Sequence, residues 1–179
     1  MNRPAALAPL LALLVLPPSA ALAAGPITSG QLLPGTLSGP SYQESWTFTG
    51  TAGDRVLISA VTTSGAVDTR IRLRNPALVE VVNTTNDRVD YQLLSTGTYS
   101  ILVEDSGLND AGGYNLCVLN VTAGPLTSAG DTDGGAIASA EIKTGQMQQA
   151  GDFDAFTFTG TAGQRVVVGA LATSGASFN

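Results

Sequence analysis

The chain has 179 residues, 44% of them hydrophobic and only 12% charged, which is enough apolar material for a core and a length that allows one domain, or one and part of another. It contains no histidine, which excludes Ser/His and Cys/His catalytic arrangements and removes the commonest metal ligand. A net charge of -6, with 8 basic residues against 14 acidic ones, excludes the phosphate-neutralising surface that a nucleic-acid-binding protein needs.

The chain opens with Arg3, an apolar run from Ala5 to Leu16, Pro17 and Pro18, and then the small-residue stretch Ser19 to Ala24. This order reads as a secretory signal peptide over residues 1–23, with Ala21 and Ala23 in the A-x-A positions and a mature chain that starts at Ala24. A membrane span needs about 20 apolar residues, so this shorter, Pro-terminated run predicts no membrane attachment after cleavage. The expected location is secreted or periplasmic. The single cysteine, Cys117, lies far from the cleavage region, which argues against a lipoprotein, and it is read as a buried structural thiol.

From residue 24 onward the hydrophobic period is two. Trp46 and Phe48 alternate with Thr47 and Thr49, Val56 and Ile58 with Leu57 and Ser59, and Ile71 and Leu73 with Arg70 and Arg72. Each segment thus has one apolar face and reads as a strand. Further strands are predicted over Leu78–Val82, Val89–Leu94, Thr98–Val103 and Tyr114–Val121, separated by clusters of Gly, Asn, Asp, Ser or Pro. About eight short strands with no helical crossovers predict an all-β, antiparallel jelly-roll-like β-sandwich over residues 24–121. Trp46, Phe48, Val56, Ile58, Ile71, Leu73, Tyr99, Ile101, Val103, Tyr114, Leu116 and Val118 are its expected core, whereas Arg70 and Arg72 are expected to face water.

The chain then repeats itself. The run from Trp46 to Val56 recurs from Phe156 to Val166 at an offset of 110, and the same register pairs Ile27 with Ile137, Gly35 with Gly145 and Ala66 with Ala176. So long a shared register marks two copies of one unit. Residues 122–136, rich in Gly, Ser, Thr and Asp, are expected to be a flexible linker. Residues 137–179 are expected to be a truncated second copy, a partial second sandwich that is loosely ordered and open to self-association through an uncovered apolar face.

The order of motifs in the first copy is Gly35-x-Leu37, Glu44-x-Trp46-x-Phe48, Thr51-Ala52-Gly53-Asp54-Arg55-Val56, Asp68 leading to Asn75-Pro76, Gly97-Thr98-Tyr99-x-Ile101-x-Val103 and Gly112-Gly113-Tyr114-Asn115-Leu116-x-Val118. This order resembles the bacterial pre-peptidase C-terminal domain, and the likeness covers nearly the whole first copy. In the second copy Gly151-Asp152-Phe153-Asp154-Ala155-Phe156 matches that family's G-D-x-D-x-[FY] opening, where the first copy has Tyr42 and Glu44 in the acidic positions. The resemblance implies a jelly-roll-like, non-catalytic sandwich on secreted proteins, often appended to metallo- or serine peptidases. Relatives that end clostridial collagenases bind collagen and calcium, but no ligand residues carry over to this chain.

Three groups of residues could carry chemistry. Asp105-Ser106-Gly107 has the D-[ST]-G form in which aspartic peptidases hold one of two carboxylates sharing a proton, but one copy lacks its partner and reads as a turn after a strand. Asp131 and Asp133 alternate ahead of Gly134 as at the start of a calcium loop, without the closing Glu. Asp152 and Asp154 lie at a strand entry downstream, so Asp131, Asp133, Asp152 and Asp154 are the metal candidates, with calcium as the cation and no other cofactor expected.

The sequence therefore predicts an exported, non-catalytic accessory or binding module of a multidomain protein, with an extracellular protein or polysaccharide surface as its partner and no nucleic acid. The alternative is a fragment of a secreted peptidase. Because the first copy follows the signal segment directly, its catalytic domain is expected downstream of residue 179.

Overall fold

The computed structural model describes residues 22–174, so most of the predicted signal segment, including Arg3 and Ala21, lies outside the described residues. The elements are β1 (Leu22–Pro26), β2 (Leu32–Leu37), β3 (Gln43–Gly50), β4 (Arg55–Gly65), β5 (Thr69–Arg74), β6 (Glu80–Thr84), β7 (Arg88–Gln92), β8 (Gly97–Asp105), β9 (Gly112–Asn120), β10 (Gly135–Ala136) and β11 (Phe156–Thr157). No helix occurs among the described residues. Two sheets form the sandwich: one in the order β1-β3-β8-β5-β6, the other in the order β2-β9-β4-β7.

Period-two patterning puts one face of every central strand into the layer between the sheets. All twelve residues expected in the core are buried, and Ile27, Leu37, Ala60, Val67, Val89 and Leu93 join them. Phe48 and Tyr99 are cross-strand partners in the β3–β8 ladder, and their rings stack at 5.4 Å. The indole N–H of Trp46 donates to the Tyr114 hydroxyl at 2.6 Å, and that hydroxyl donates to Glu44 Oε2 at 2.6 Å. Two amphipathic rings are thereby satisfied inside an otherwise apolar layer.

Two features differ from the expected antiparallel pattern with solvated arginines. First, β1 pairs with β3 in parallel, Gly25 opposite Trp46 and Pro26 opposite Thr47. The chain leaves the first sheet to form β2 in the second and returns for β3, so the two strands of the same sheet run the same way. Second, Arg70 and Arg72 lie outside the core but do not simply face water. They flank Glu104, which is only 2% exposed, at 3.4 Å and 3.7 Å. Gln43 donates to the same carboxylate at 2.8 Å from the neighbouring strand. The register places Glu104 between Gln43 and Arg70, so the buried charge has a hydrogen-bond donor on one side and arginines on the other.

Some positions 110 residues apart share backbone geometry. Gly135 and Ala136 pair in parallel with Phe156 and Thr157, positions that match Gly25, Pro26, Trp46 and Thr47 at the offset of 110. Ile137 N donates to Thr157 O at 2.9 Å as Ile27 N donates to Thr47 O at 2.8 Å. The turn of the T-A-G-[DQ] motif also recurs: Thr51 N donates to Asp54 Oδ2 and Thr161 N to Gln164 Oε1. Both turns carry a left-handed glycine, Gly53 and Gly163, where a side chain would be strained. Beyond Thr157 no strand forms among the described residues, and Phe158, Val166, Val167, Val168 and Leu171 are exposed.

Residues 122–136, expected to be a flexible linker, are tied to the first unit. Ala129 N donates to Gly30 O at 2.5 Å, Gly124 N to Asn120 O at 2.7 Å, and Ser128 is buried. The outer face of the second sheet receives the next contacts, from Ser59 Oγ to Gly151 O at 2.6 Å and from Asn115 Nδ2 to Ala150 O at 3.0 Å. Polar side chains at outward positions of β4 and β9 thus bond the backbone of the second unit, a pattern that strand alternation alone does not reveal.

Candidate metal centre at the junction

The junction gathers three of the four aspartates singled out in the sequence. Asp131 and Asp133 enter from residues 122–136, and Asp154 enters from the strand opening of the second unit. Thr127 forms an antiparallel bridge with Asp154, and Ala155 N donates to Leu126 O at 2.8 Å, which fixes the approach. One carboxylate oxygen from each of Asp131, Asp133 and Asp154 lies within 4.8 Å of the others. Asp152 stands apart from the group: it accepts from Gln148 N at 3.1 Å and from its own neighbour Phe153 N at 2.9 Å, capping a local turn.

Gly145 allows this approach, because a β-carbon there would stand 2.9 Å from Asp154 Oδ2 and 3.5 Å from Asp133 Cβ. The adjacent Gln146 N donates to Asp133 Oδ2 at 2.7 Å. Asp131 Oδ1 receives Asp133 N at 3.0 Å and Gln148 Nε2 at 3.2 Å. By contrast, Asp131 Oδ2 and Asp154 Oδ1 are shielded from solvent and receive no hydrogen bond.

Crowded carboxylates cannot all ionise at no cost. Burial, and then the neighbouring Asp131, push the Asp154 carboxyl up to about 7. Burial works the same way on Asp131, but donors from Gln148 and the local backbone outweigh it and hold its carboxyl below the ordinary range. The Asp154 carboxyl, raised in this way, holds its proton closer to neutrality than an ordinary aspartate, and a hard cation competes with that proton. Calcium is bound by six to eight oxygens at about 2.3 to 2.6 Å, a count that three carboxylates would complete with backbone carbonyls and water.

The D-S-G segment has a different role. Asp105 is 1% exposed, and its carboxylate accepts four backbone N–H groups: Asp68 on Oδ1 at 3.0 Å, and Gly107, Asn109 and Asp110 on Oδ2 at 3.1 to 3.2 Å. Burial alone would raise its carboxyl, but these donors hold it below the ordinary range. A carboxylate used in this way organises the β8–β9 turn. Sequence reasoning missed Glu104, one residue earlier. Its sequence signal is only that of a polar residue at an outward position of a strand, and the arginines it meets come from the β5–β8 register.

No family model and no curated protein matches the chain. Among solved structures, the pre-peptidase C-terminal domain of collagenase from Bacillus anthracis is 17% identical, with a TM-score of 0.43, covering 58% of this chain and 99% of that one. PliG of Aeromonas hydrophila, a periplasmic inhibitor of g-type lysozyme, is 14% identical, with a TM-score of 0.44 and coverages of 55% and 99%. PliG of Salmonella Typhimurium is 17% identical, with a TM-score of 0.40 and coverages of 55% and 98%. At these identities and TM-scores the likeness says nothing about what this chain binds.

Proposed function

We propose that the chain is an exported, non-catalytic β-sandwich module whose junction between first and second units takes up calcium and which presents its surface to an extracellular protein or polysaccharide. The observation that carries the calcium reading is the convergence of Asp131, Asp133 and Asp154 within 4.8 Å, with two shielded oxygens that receive no donor. The non-catalytic reading is supported by Asp105, whose lone pairs are taken by four backbone N–H groups.

Export rests on Arg3, the apolar run and Ala21-Leu22-Ala23. Cleavage after Ala23 would remove Leu22 and Ala23 from β1 but keep Gly25 and Pro26 opposite Trp46 and Thr47, the part of the pairing that the second unit reproduces. Processing is therefore compatible with the folded sandwich.

Calorimetric titration of the metal-stripped mature chain with calcium at pH 8 tests the site. One site per chain, lost in Asp131→Asn and in Asp154→Asn, is the expected result. No heat of binding up to millimolar calcium would remove the metal from the proposal.

A further inference from the structure

The outer face of the first sheet carries a concentration of positive charge that the chain as a whole does not have. Of the 8 basic residues, Arg70, Arg72 and Arg74 stand at alternate positions of β5. Ile71 and Leu73 between them are fully buried, so the three arginines share the side of the strand turned away from the core. A strand rises about 3.4 Å per residue, which sets successive arginines about 7 Å apart along one line. The contacts of the second unit fall on the outer face of the second sheet, whereas Thr49, Thr98 and Asn83, on the outer face of the first, are exposed.

The acids on this face do not cancel the stripe. Glu104 is 2% exposed and already engaged by Arg70, Arg72 and Gln43, and Glu80 accepts from Arg72 Nε at 2.5 Å. Three arginines thus meet two carboxylates, one of them shut away from solvent, and Arg74 makes no ion pair among the described residues. Beside the stripe the face is lined with hydroxyls. β8 presents Thr98 and Ser100, the latter opposite Arg74, and β3 presents Ser45, Thr47 and Thr49 beyond it, with the Ser45 and Ser100 Oγ atoms 3.2 Å apart. β5 has β8 on one side and β6 on the other, so its backbone is closed to an incoming peptide strand.

We propose that this face binds an anionic polysaccharide, whose carboxylate or sulfate groups pair with Arg70, Arg72 and Arg74 while its hydroxyls bond those of Ser100, Thr98 and Thr49. The inference rests on the polysaccharide reading above and gives that polymer a charge and a seat. A guanidinium presents its donors as a fork that two oxygens of either anion can accept. The chain's net charge of -6 is compatible with such a ligand at ordinary ionic strength. At about 0.1 M salt the screening length is about 10 Å, close to the spacing of two packed sheets. A polyanion lying on β5 therefore senses the local arginines more than the carboxylates of the junction, which lie beyond the second sheet.

The test measures binding of the full mature chain to immobilised heparin, polygalacturonate, dextran and polyglutamate at 0.1 M salt. Chelator is present throughout, so that calcium cannot bridge chain and polymer. Heparin, polygalacturonate or both should bind, dextran should not, and binding should be lost at 1 M salt, where screening reaches about 3 Å. Heparin alone would assign sulfate as the anion, and polygalacturonate alone carboxylate. Arg74→Glu and Thr98→Glu should each weaken binding about tenfold at an unchanged melting temperature, since neither side chain enters the core. Arg88→Glu makes the same change in net charge as Arg74→Glu, but on the second sheet, and should bind as the parent does. Binding indifferent to Arg74→Glu and Thr98→Glu, or weakened equally by Arg88→Glu, would overturn the proposal. Equal binding of polyglutamate would also overturn it, because the hydroxyls would then play no part. Retention on dextran without preference for the polyanions would remove this face as the seat and leave the polysaccharide reading standing, whereas no binding to any polysaccharide would remove both.

Discussion

Gly35 lies against the ring of Tyr114, so close that a β-carbon on Gly35 would stand 2.3 Å from Tyr114 Cζ and 2.5 Å from its hydroxyl oxygen. The two are directly paired across β2 and β9, and the ring fills the space that a side chain at position 35 would need. The Gly35-x-Leu37 motif and the Tyr114 of G-G-Y-N are thus two halves of one contact. The bare glycine lets the Tyr114 hydroxyl reach both Trp46 and Glu44.

This contact predicts two distinct losses. Gly35→Ala forces a fully buried ring out of its place, an overpacking that should cost ~1 to 3 kcal/mol. Tyr114→Phe keeps the ring but leaves the Trp46 N–H without an acceptor and Glu44 without its shortest donor, at ~1 to 3 kcal/mol. Urea denaturation of both variants measures the effect, and the double variant should cost less than the sum because the two changes act on one contact. Additive losses would show that the glycine is needed for some other reason.

The acid limb of stability should depend on Asp105. Its folded carboxyl lies below the ordinary value because four backbone N–H groups prefer the charged form. A depressed carboxyl stabilises the fold above the unfolded value of about 3.9 and loses that contribution as pH falls through the lower folded value. The first unit should therefore hold its melting temperature down to about pH 4 and lose it steeply below. Asp105→Asn replaces one accepting oxygen with a donor, so it should cost ~1 to 3 kcal/mol at pH 7 and flatten the acid limb. A variant as acid-sensitive as the parent would place the titration elsewhere.

Calcium should raise the melting temperature of the mature chain, and more at pH 8 than at pH 5.5. A cation bound to the folded state alone stabilises it by RT ln(1 + [L]/Kd). At pH 8 the Asp154 carboxyl, pushed up to about 7 by burial and Asp131, is ionised and open to the cation, whereas at pH 5.5 a proton holds its place. Scanning calorimetry in calcium and in chelator at both pH values checks this. An equal shift at both would mean that Asp154 is not a ligand.

How much of this was legible in the sequence follows from what fixes each feature. The first sandwich was legible because a strand with one buried face must alternate, and Trp46, Phe48, Val56, Ile58, Tyr99 and Ile101 do. The Asp131 and Asp133 pair was legible from spacing, but its meeting with Asp154 depends on the Thr127–Asp154 bridge, and Asp152, two residues from Asp154, is drawn off by Gln148 and Phe153. The parallel β1–β3 pairing was not legible, since period two is the same for either direction. Nor was the clamp on Glu104, because Arg70 and Arg72 carry the polar side of an ordinary alternation. Only the register across β5 and β8 shows that they meet a buried carboxylate.

Cys117 should report whether the junction is closed. It sits on the outward side of β9, yet it is 0% exposed, and the buried Ser128 covers it with its Oγ 3.6 Å from the sulfur. Burial pushes its thiol up to about 11, so little thiolate exists at neutral pH and the native protein should react slowly with aromatic disulfide reagents. The cover is held next door by Ser59 Oγ donating to Gly151 O and by Asn115 Nδ2 donating to Ala150 O. Ser59→Arg places a long side chain where Gly151 docks and should lift the second unit from the sheet without disturbing the sandwich core, since position 59 points away from it. Labelling of Cys117 should then speed up at least tenfold at an unchanged melting temperature of the first unit. Labelling at the parent rate would show that the cover over Cys117 does not depend on the docking of residues 150 and 151.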